Sequence, residues 1–238
     1  MLPSTIIKKH SNTIQNRTES ASGKNVDVKQ IMNAFVVDAD HPCVMAQSMI
    51  KQDKLAYDTY EDFNSEDTAK NLLKNIHKYI EGYDFKTDRF ESYAAAFPQI
   101  SFDSETHFED TLWELLTLIN RYDDKPWDPT VSNDPSNVDF SFSIKGHAFY
   151  IIGLHPKSSR KARQTEFPIL VFNLHWQFER LREHGLYNNV RNHIRKRDKV
   201  FSGSVNPVLN DFGKMSEAMQ YSGKHNDASW KCPFSVKP

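Results

Sequence analysis

Cysteine is nearly absent: Cys43 and Cys232 are the only two in 238 residues. Two thiols cannot build a disulfide scaffold, and neither belongs to a Cys-x-x-Cys pair of the sort that holds zinc or runs thioredoxin-type exchange. No Cys-x-x-Cys-His occurs either, which excludes covalent haem attachment. Long apolar runs are missing, so no membrane span and no signal-peptide core is expected, and the cytosol is the expected home. Glycine and proline, at 8 and 11 residues, are too few for a collagenous or low-complexity chain. A dominant charge is also lacking, since the formal net charge is −1.

That balance conceals an asymmetry. Residues 1–140 hold 14 basic and 24 acidic side chains, and residues 141–238 hold 16 basic and 7 acidic. A basic second half suits nucleic acid, an anionic cofactor or the acidic first half. The last needs no extra partner and is the expectation. The stretch 187–200 is strongly basic (Arg191, Arg195, Lys196, Arg197, Lys199), but no nucleic-acid motif accompanies it, and no nucleic-acid partner is expected.

The most informative run is 140–163. Phe140, Phe142 and Ile144 alternate with Ser141 and Ser143, the period of a half-buried strand. Lys145-Gly146 suits a tight turn, and Ala148 to Leu154 is almost wholly apolar, as in a strand covered on both faces. His155-Pro156 follows, with two serines and the cations Lys157, Arg160, Lys161 and Arg163. A stiff strand that delivers an imidazole into a basic loop is a common way to build a site. The competing account gives His155 a turn hydrogen bond and leaves the cations on a solvated face.

Elsewhere the spacing predicts helices near 42–52, 65–81, 104–121, 175–184 and 188–199. It predicts strands near 55–60, 93–102, 139–145, 147–154 and 168–172. Ser65 and Ser104 read as helix caps. Asp40 with Pro42 marks another helix start and sets Cys43 by a positive helix end, where a thiol's pKa falls. A small buried hydrophobe is the alternative fate for that cysteine. Residues 1–28 read as a flexible polar tail. Residues 203–234, rich in hydrogen-bonding groups with spaced glycines and aromatics, read as a loop pinned over a site. The expected architecture is α+β: one domain over 29–238, with a central mixed or antiparallel sheet of about five strands packed by helices.

Several motifs in one order then carry a resemblance. His155-Pro with Ser159-Arg160 and Ala162-Arg163, Phe172-Asn-Leu-His175 to Phe178-Glu179, Gly203-Ser-x-Asn206-Pro, Ser216-Glu-Ala-x-Gln-Tyr-Ser-Gly223 and Cys232-Pro-Phe234 together resemble the YqcI/YcgG family. The likeness spans about residues 35–234. His41 departs from it, standing where the family's Phe-Pro-Cys motif has Phe, while Pro42 and Cys43 match.

The resemblance implies a b-type haem and a haem-dependent oxygenase that N-hydroxylates a small amine or guanidine substrate, with electrons from a separate reductase. It offers four iron ligands, His155 first, then Cys43, Cys232 and His175, since His or thiolate favours oxygen activation. Arg160 and Arg163 would fork the haem propionates. Glu217 or Asp211 would meet a cationic substrate, and Tyr221 would donate to bound oxygen. Two alternatives remain: a non-catalytic protein that binds haem or a small anion, and a thiol enzyme built on Cys43 with His41.

Overall fold

The computed structural model describes residues 26–206, 213–227 and 229–236. Residues 1–25 of the expected tail, and Asp211, lie outside them. Val28 opens helix α1 (Val28–Asn33) and is fully buried. A π-helical turn, Ala34–Asp38, leads to α2 (Val44–Lys51). Then follow β1 (Leu55–Thr59), α3 (Glu66–Gly82), β2 (Ser92–Ala96) and α4 (Glu105–Tyr122). The second half supplies β3 (Phe142–Ile144), β4 (His147–Leu154), β5 (Ile169–Leu174), α5 (His175–Glu183) and α6 (Tyr187–Ser202). Short 3-10 turns occupy Lys161–Arg163 and Glu217–Gln220.

The five strands form one open sheet in the order β1-β2-β5-β4-β3. Only β1 and β2 are parallel, as their connection through α3 demands, so the α+β mixed sheet is as expected. Ser65 and Ser104 cap α3 and α4 by accepting from the backbone of Thr68 and His107. Lys145 and Gly146, at φ +54° and +77°, make the β3–β4 turn. The helical and strand spacing of the sequence is recovered with small shifts. The exception is β2, which stops at Ala96, two residues before Pro98, because proline has no N–H for the ladder.

Strand periodicity sorts side chains onto two faces. Tyr93, Ala95, Leu170, Phe172, Phe149 and Ile151 join the larger core beneath α3 and α4. Ala94, Ala96, Ile169, Val171 and Leu154 face α1 and its π turn in a smaller core. The larger core is aromatic-rich, with Trp113, Phe108, Phe140 and Phe142 fully or almost fully buried. Gly153 lets the C-terminal segment close onto β4: its N–H donates to Tyr221 O at 2.7 Å, and a Cβ there would lie 2.8 Å from that oxygen. The expected pinned segment is pinned in this way as far as it is described.

Candidate functional site

The smaller core does not fill its face of the sheet. A cavity of about 290 Å³ remains, a size near the lower end of small-molecule and cofactor sites. Its floor is the same strand parity that faces α1: Ser92, Tyr150, Ile152, Leu154, Val171 and Asn173. Met32, Phe35, Val36 and the start of α2 form one wall; Phe178, Leu181, Val190 and Ile194 of α5 and α6 form the other. Glu217 and Gln220 close one end.

Cys43 lines this cavity as the N-cap of α2, with Sγ accepting from Ala46 N at 3.5 Å. The N–H groups of the helix start favour thiolate, as the helix position led us to expect. Burial outweighs them and pushes the thiol's pKa up instead. His41 is adjacent, but both ring nitrogens are committed. Nδ1 accepts from Cys43 N at 3.1 Å, and Nε2 donates to Ala162 O at 3.0 Å. The ring is thus a neutral clip between the α2 start and the Lys161–Arg163 turn, and burial holds its pKa down. It is not placed to act as a base for the thiol.

The two arginines expected to form a fork also line the cavity, each with protein partners. Arg160 pairs with Asp198 of α6 at 2.6 Å. Buried Arg163 donates to Gly153 O at 3.0 Å and Gln220 O at 3.4 Å. The lining holds further cations that motif reasoning missed: Arg182 of α5, which pairs with Glu179, and Arg191 and Arg195 of α6. Their signal was helical, since 187, 190, 191, 194, 195 and 198 share one face, but the excess of charge made α6 look wholly solvent-facing. Tyr150 was also missed, and it follows from parity, two residues before Ile152 on a strand read as uniformly apolar. Its hydroxyl donates to Gln220 Oε1 at 2.9 Å.

Glu217 sits at the cavity's end, 7 % exposed, with Oε2 lacking any partner. Burial pushes its carboxyl up to about 7, against the opposing pull of His175, Arg182 and the Ser141 and Tyr221 hydroxyls. A carboxyl poised near neutrality can hold a proton or accept a cation.

The remaining expected residues lie elsewhere. His155 is fully buried beyond the cavity, its ring stacked on Phe108 at 4.1 Å and both nitrogens without partners; burial pulls its pKa down to about 4. His175 bonds Glu179 at 2.8 Å and Ser141 at 3.3 Å. Tyr221 is fully buried, its hydroxyl accepting from Phe142 N at 2.9 Å and donating to Phe149 O at 3.3 Å. Cys232 packs against the larger core, across the sheet from Cys43, and burial pushes its thiol up to about 12.

No helix among the described residues is long and apolar enough to cross a membrane. No group of three or more His, Cys, Asp or Glu side chains among them could hold a metal ion.

Among the described residues, an open α+β sheet thus carries an apolar cavity lined by a thiol, several guanidiniums and a buried carboxyl. The family model described as YqcI/YcgG family matches residues 32–235, and the chain belongs to that family. No curated protein and no solved structure matches it.

Proposed function

We propose that the chain is a haem-dependent oxygenase that N-hydroxylates a small amine or guanidine, with Cys43 in place of His155 as the iron ligand. The observation that carries this is a sulfur on the wall of an apolar cavity, at a helix start where it accepts from Ala46 N. His155 would have to leave its stack on Phe108 to reach that cavity, and both nitrogens of His41 and His175 have hydrogen-bonding contacts.

The residues suit a b-type haem. The floor and walls supply apolar contact for a flat macrocycle, and Arg182, Arg191 and Arg195 supply positive charge for its two carboxylates. When bound, the haem supplies the centre at which O2 is reduced and one oxygen atom passes to nitrogen. Overall, an N–H substrate, O2, two electrons and two protons give an N–OH product and water. The electrons come from an external reductase, consistent with a cytoplasmic protein.

The chain's own part is to bind, orient and exclude water. The aliphatic side chains of β4, β5 and α6 keep bulk water out. Glu217 presents a carboxyl to the substrate's cationic nitrogen, and ionises as that charge arrives. Tyr150, tethered to Gln220, places a hydroxyl in the same cavity. Tyr221, engaged with β-strand backbone, keeps only a supporting role.

The test is to supply haem and record spectra before and after dithionite and carbon monoxide. Wild type and His155→Ala should both give the red-shifted carbonyl band of a thiolate ligand, and Cys43→Ala should lose it. A thiolate signature that survives Cys43→Ala, or no haem uptake at all, sinks the proposal. Haem uptake without oxygenated product from any amine or guanidine would favour a binding or sensing protein instead.

A further inference from the structure

Tyr150 lines the cavity from β4, and its ring begins a series of oxidisable rings that ends at the protein surface. Its ring centroid lies 6.1 Å from that of Tyr221, Tyr221 stacks on Trp113 at 5.7 Å, and Trp113 lies 6.3 Å from Trp230. Ring pairs at such separations have their edges or faces in near contact. Tyr221 and Trp113 are fully or almost fully buried, whereas Trp230 is only partly buried. The series does not branch. Among the described residues, the other rings that touch it are phenylalanines: Phe178 beside Tyr150, Phe140 beside Tyr221 and Phe234 beside Trp113. Phenol and indole rings give up one electron to oxidants that leave the phenylalanine ring untouched. We propose that Tyr150, Tyr221, Trp113 and Trp230 form a path that carries single electrons from solvent to an oxidant in the cavity.

The hydrogen bonds let each ring change its charge in place. Tyr150 donates to Gln220 Oε1 at 2.9 Å and Tyr221 to Phe149 O at 3.3 Å. Each hydroxyl proton shifts along its bond when the ring loses an electron and returns when the electron is replaced. Trp113 Nε1 has no hydrogen-bond partner, so this indole keeps its proton and passes the charge as a radical cation. Trp230 Nε1 donates to Glu109 Oε2 at 3.2 Å, and that carboxylate takes the indole proton while the surface radical lasts. In the net reaction an oxygen-centred radical in the cavity gains one electron from Tyr150 and one proton from water, and becomes a hydroxyl compound. A solvent-borne donor of the ascorbate class loses the matching electron at Trp230 and the matching proton to water. No bond of the protein is altered. The path gives Trp113, Tyr221 and the Glu109 contact of Trp230 a purpose the oxygenase proposal leaves unused. It rests on that proposal only for the source of the oxidant.

The test runs the path backwards in the full chain without haem. Trp127→Phe/Trp176→Phe leaves Trp113 and Trp230 as the only tryptophans. Pulse radiolysis in azide solution then generates azide radicals, which oxidise the accessible Trp230. The tryptophanyl absorption should decay in a first-order step, independent of protein concentration, while tyrosyl absorption grows. Adding Trp113→Phe or Tyr221→Phe should remove that step; each keeps an aromatic ring in the core, and having two separate interruptions guards against one that fails to fold. Electron paramagnetic resonance of samples frozen after the same oxidation should show a tyrosyl signal that Tyr150→Phe removes and Tyr187→Phe keeps. A first-order step that survives in either folded interrupted chain overturns the path, as does a tyrosyl signal indifferent to Tyr150→Phe. Because no haem is present, failure of the oxygenase proposal leaves this test standing. Absence of the first-order step in a chain that does take up haem and hydroxylate would sink the path alone.

Discussion

His155 and Glu217 are both buried ionisable groups, and burial moves their pKa values in opposite directions, to about 4 and about 7. Between pH 4.5 and 6.5, approximately, the unfolded chain holds a proton on the imidazole that the folded chain lacks. Over the same range the folded chain holds a proton on Glu217 that the unfolded chain lacks. The first effect costs stability as pH falls, the second adds it, each at ~1.4 kcal/mol per pH unit. The two slopes cancel in the wild type and separate in single variants. His155→Phe, which keeps the stack on Phe108, should grow more stable as the pH falls from about 6.5 to about 5. Glu217→Gln should grow less stable. Urea midpoints at the two pH values measure this, and slopes of the same sign in both variants would refute it. Spacing gave His155 a site, and the family resemblance gave Glu217 one. Neither could show that His155 turns its ring to the far side of the sheet, because the ring's direction is set by the packing of α4, contributed some fifty residues earlier.

At the scale of elements, caps and periodicity made α3 and α4 legible, and the glycine turn made the β3–β4 hairpin legible. An acid on the inward face of α4 was not. Glu109 is 3 % exposed and accepts from Ser222 at 2.7 Å, Asn226 at 2.6 Å, Lys224 at 2.9 Å and Trp230 at 3.2 Å. In sequence it interrupts an apolar stripe. In the fold it is the fastening for the entire C-terminal segment, whose partners arrive more than a hundred residues later. That segment includes the Glu217–Gln220 turn at the cavity's end, so α4 steadies the site across the sheet. Glu109→Ala should cost about 2–4 kcal/mol, since it strands buried donors and one ammonium. Limited proteolysis should then begin within residues 222–232. Cleavage that starts elsewhere, or unchanged stability, would show that the aromatic contacts of Trp230 and Phe234 hold the segment alone.

For the molecule as a whole, the uneven charge of the two halves becomes a set of contacts. Lys145 pairs with Asp123 and Asp124, Arg180 with Asp88, Arg197 with Asp40, and Lys224 with Glu109. The sheet is interleaved in the same way, because β2 from the first half lies against β5 from the second. The cavity belongs to both halves too. Its thiol comes from the start of α2, its guanidiniums from the Lys161–Arg163 turn, α5 and α6, and its carboxyl from near the C-terminus. No local pattern encodes such a space, which is why the sequence displayed its parts without showing which of them meet. A ligand that fills the cavity therefore ties the two halves together and should report on global stability. With haem at about a hundred times its dissociation constant, the gain is ~2.7 kcal/mol. For a chain of this length that raises the melting temperature by roughly 5–10 °C. His155→Phe should keep the full rise, and Cys43→Ala should lose most of it, because in the proposed complex iron ligation would supply much of the affinity while the apolar contacts remain. Equal rises in the two variants would mean that the sulfur does not hold the ligand, and a rise lost only in His155→Phe would return the iron to the imidazole at the end of β4.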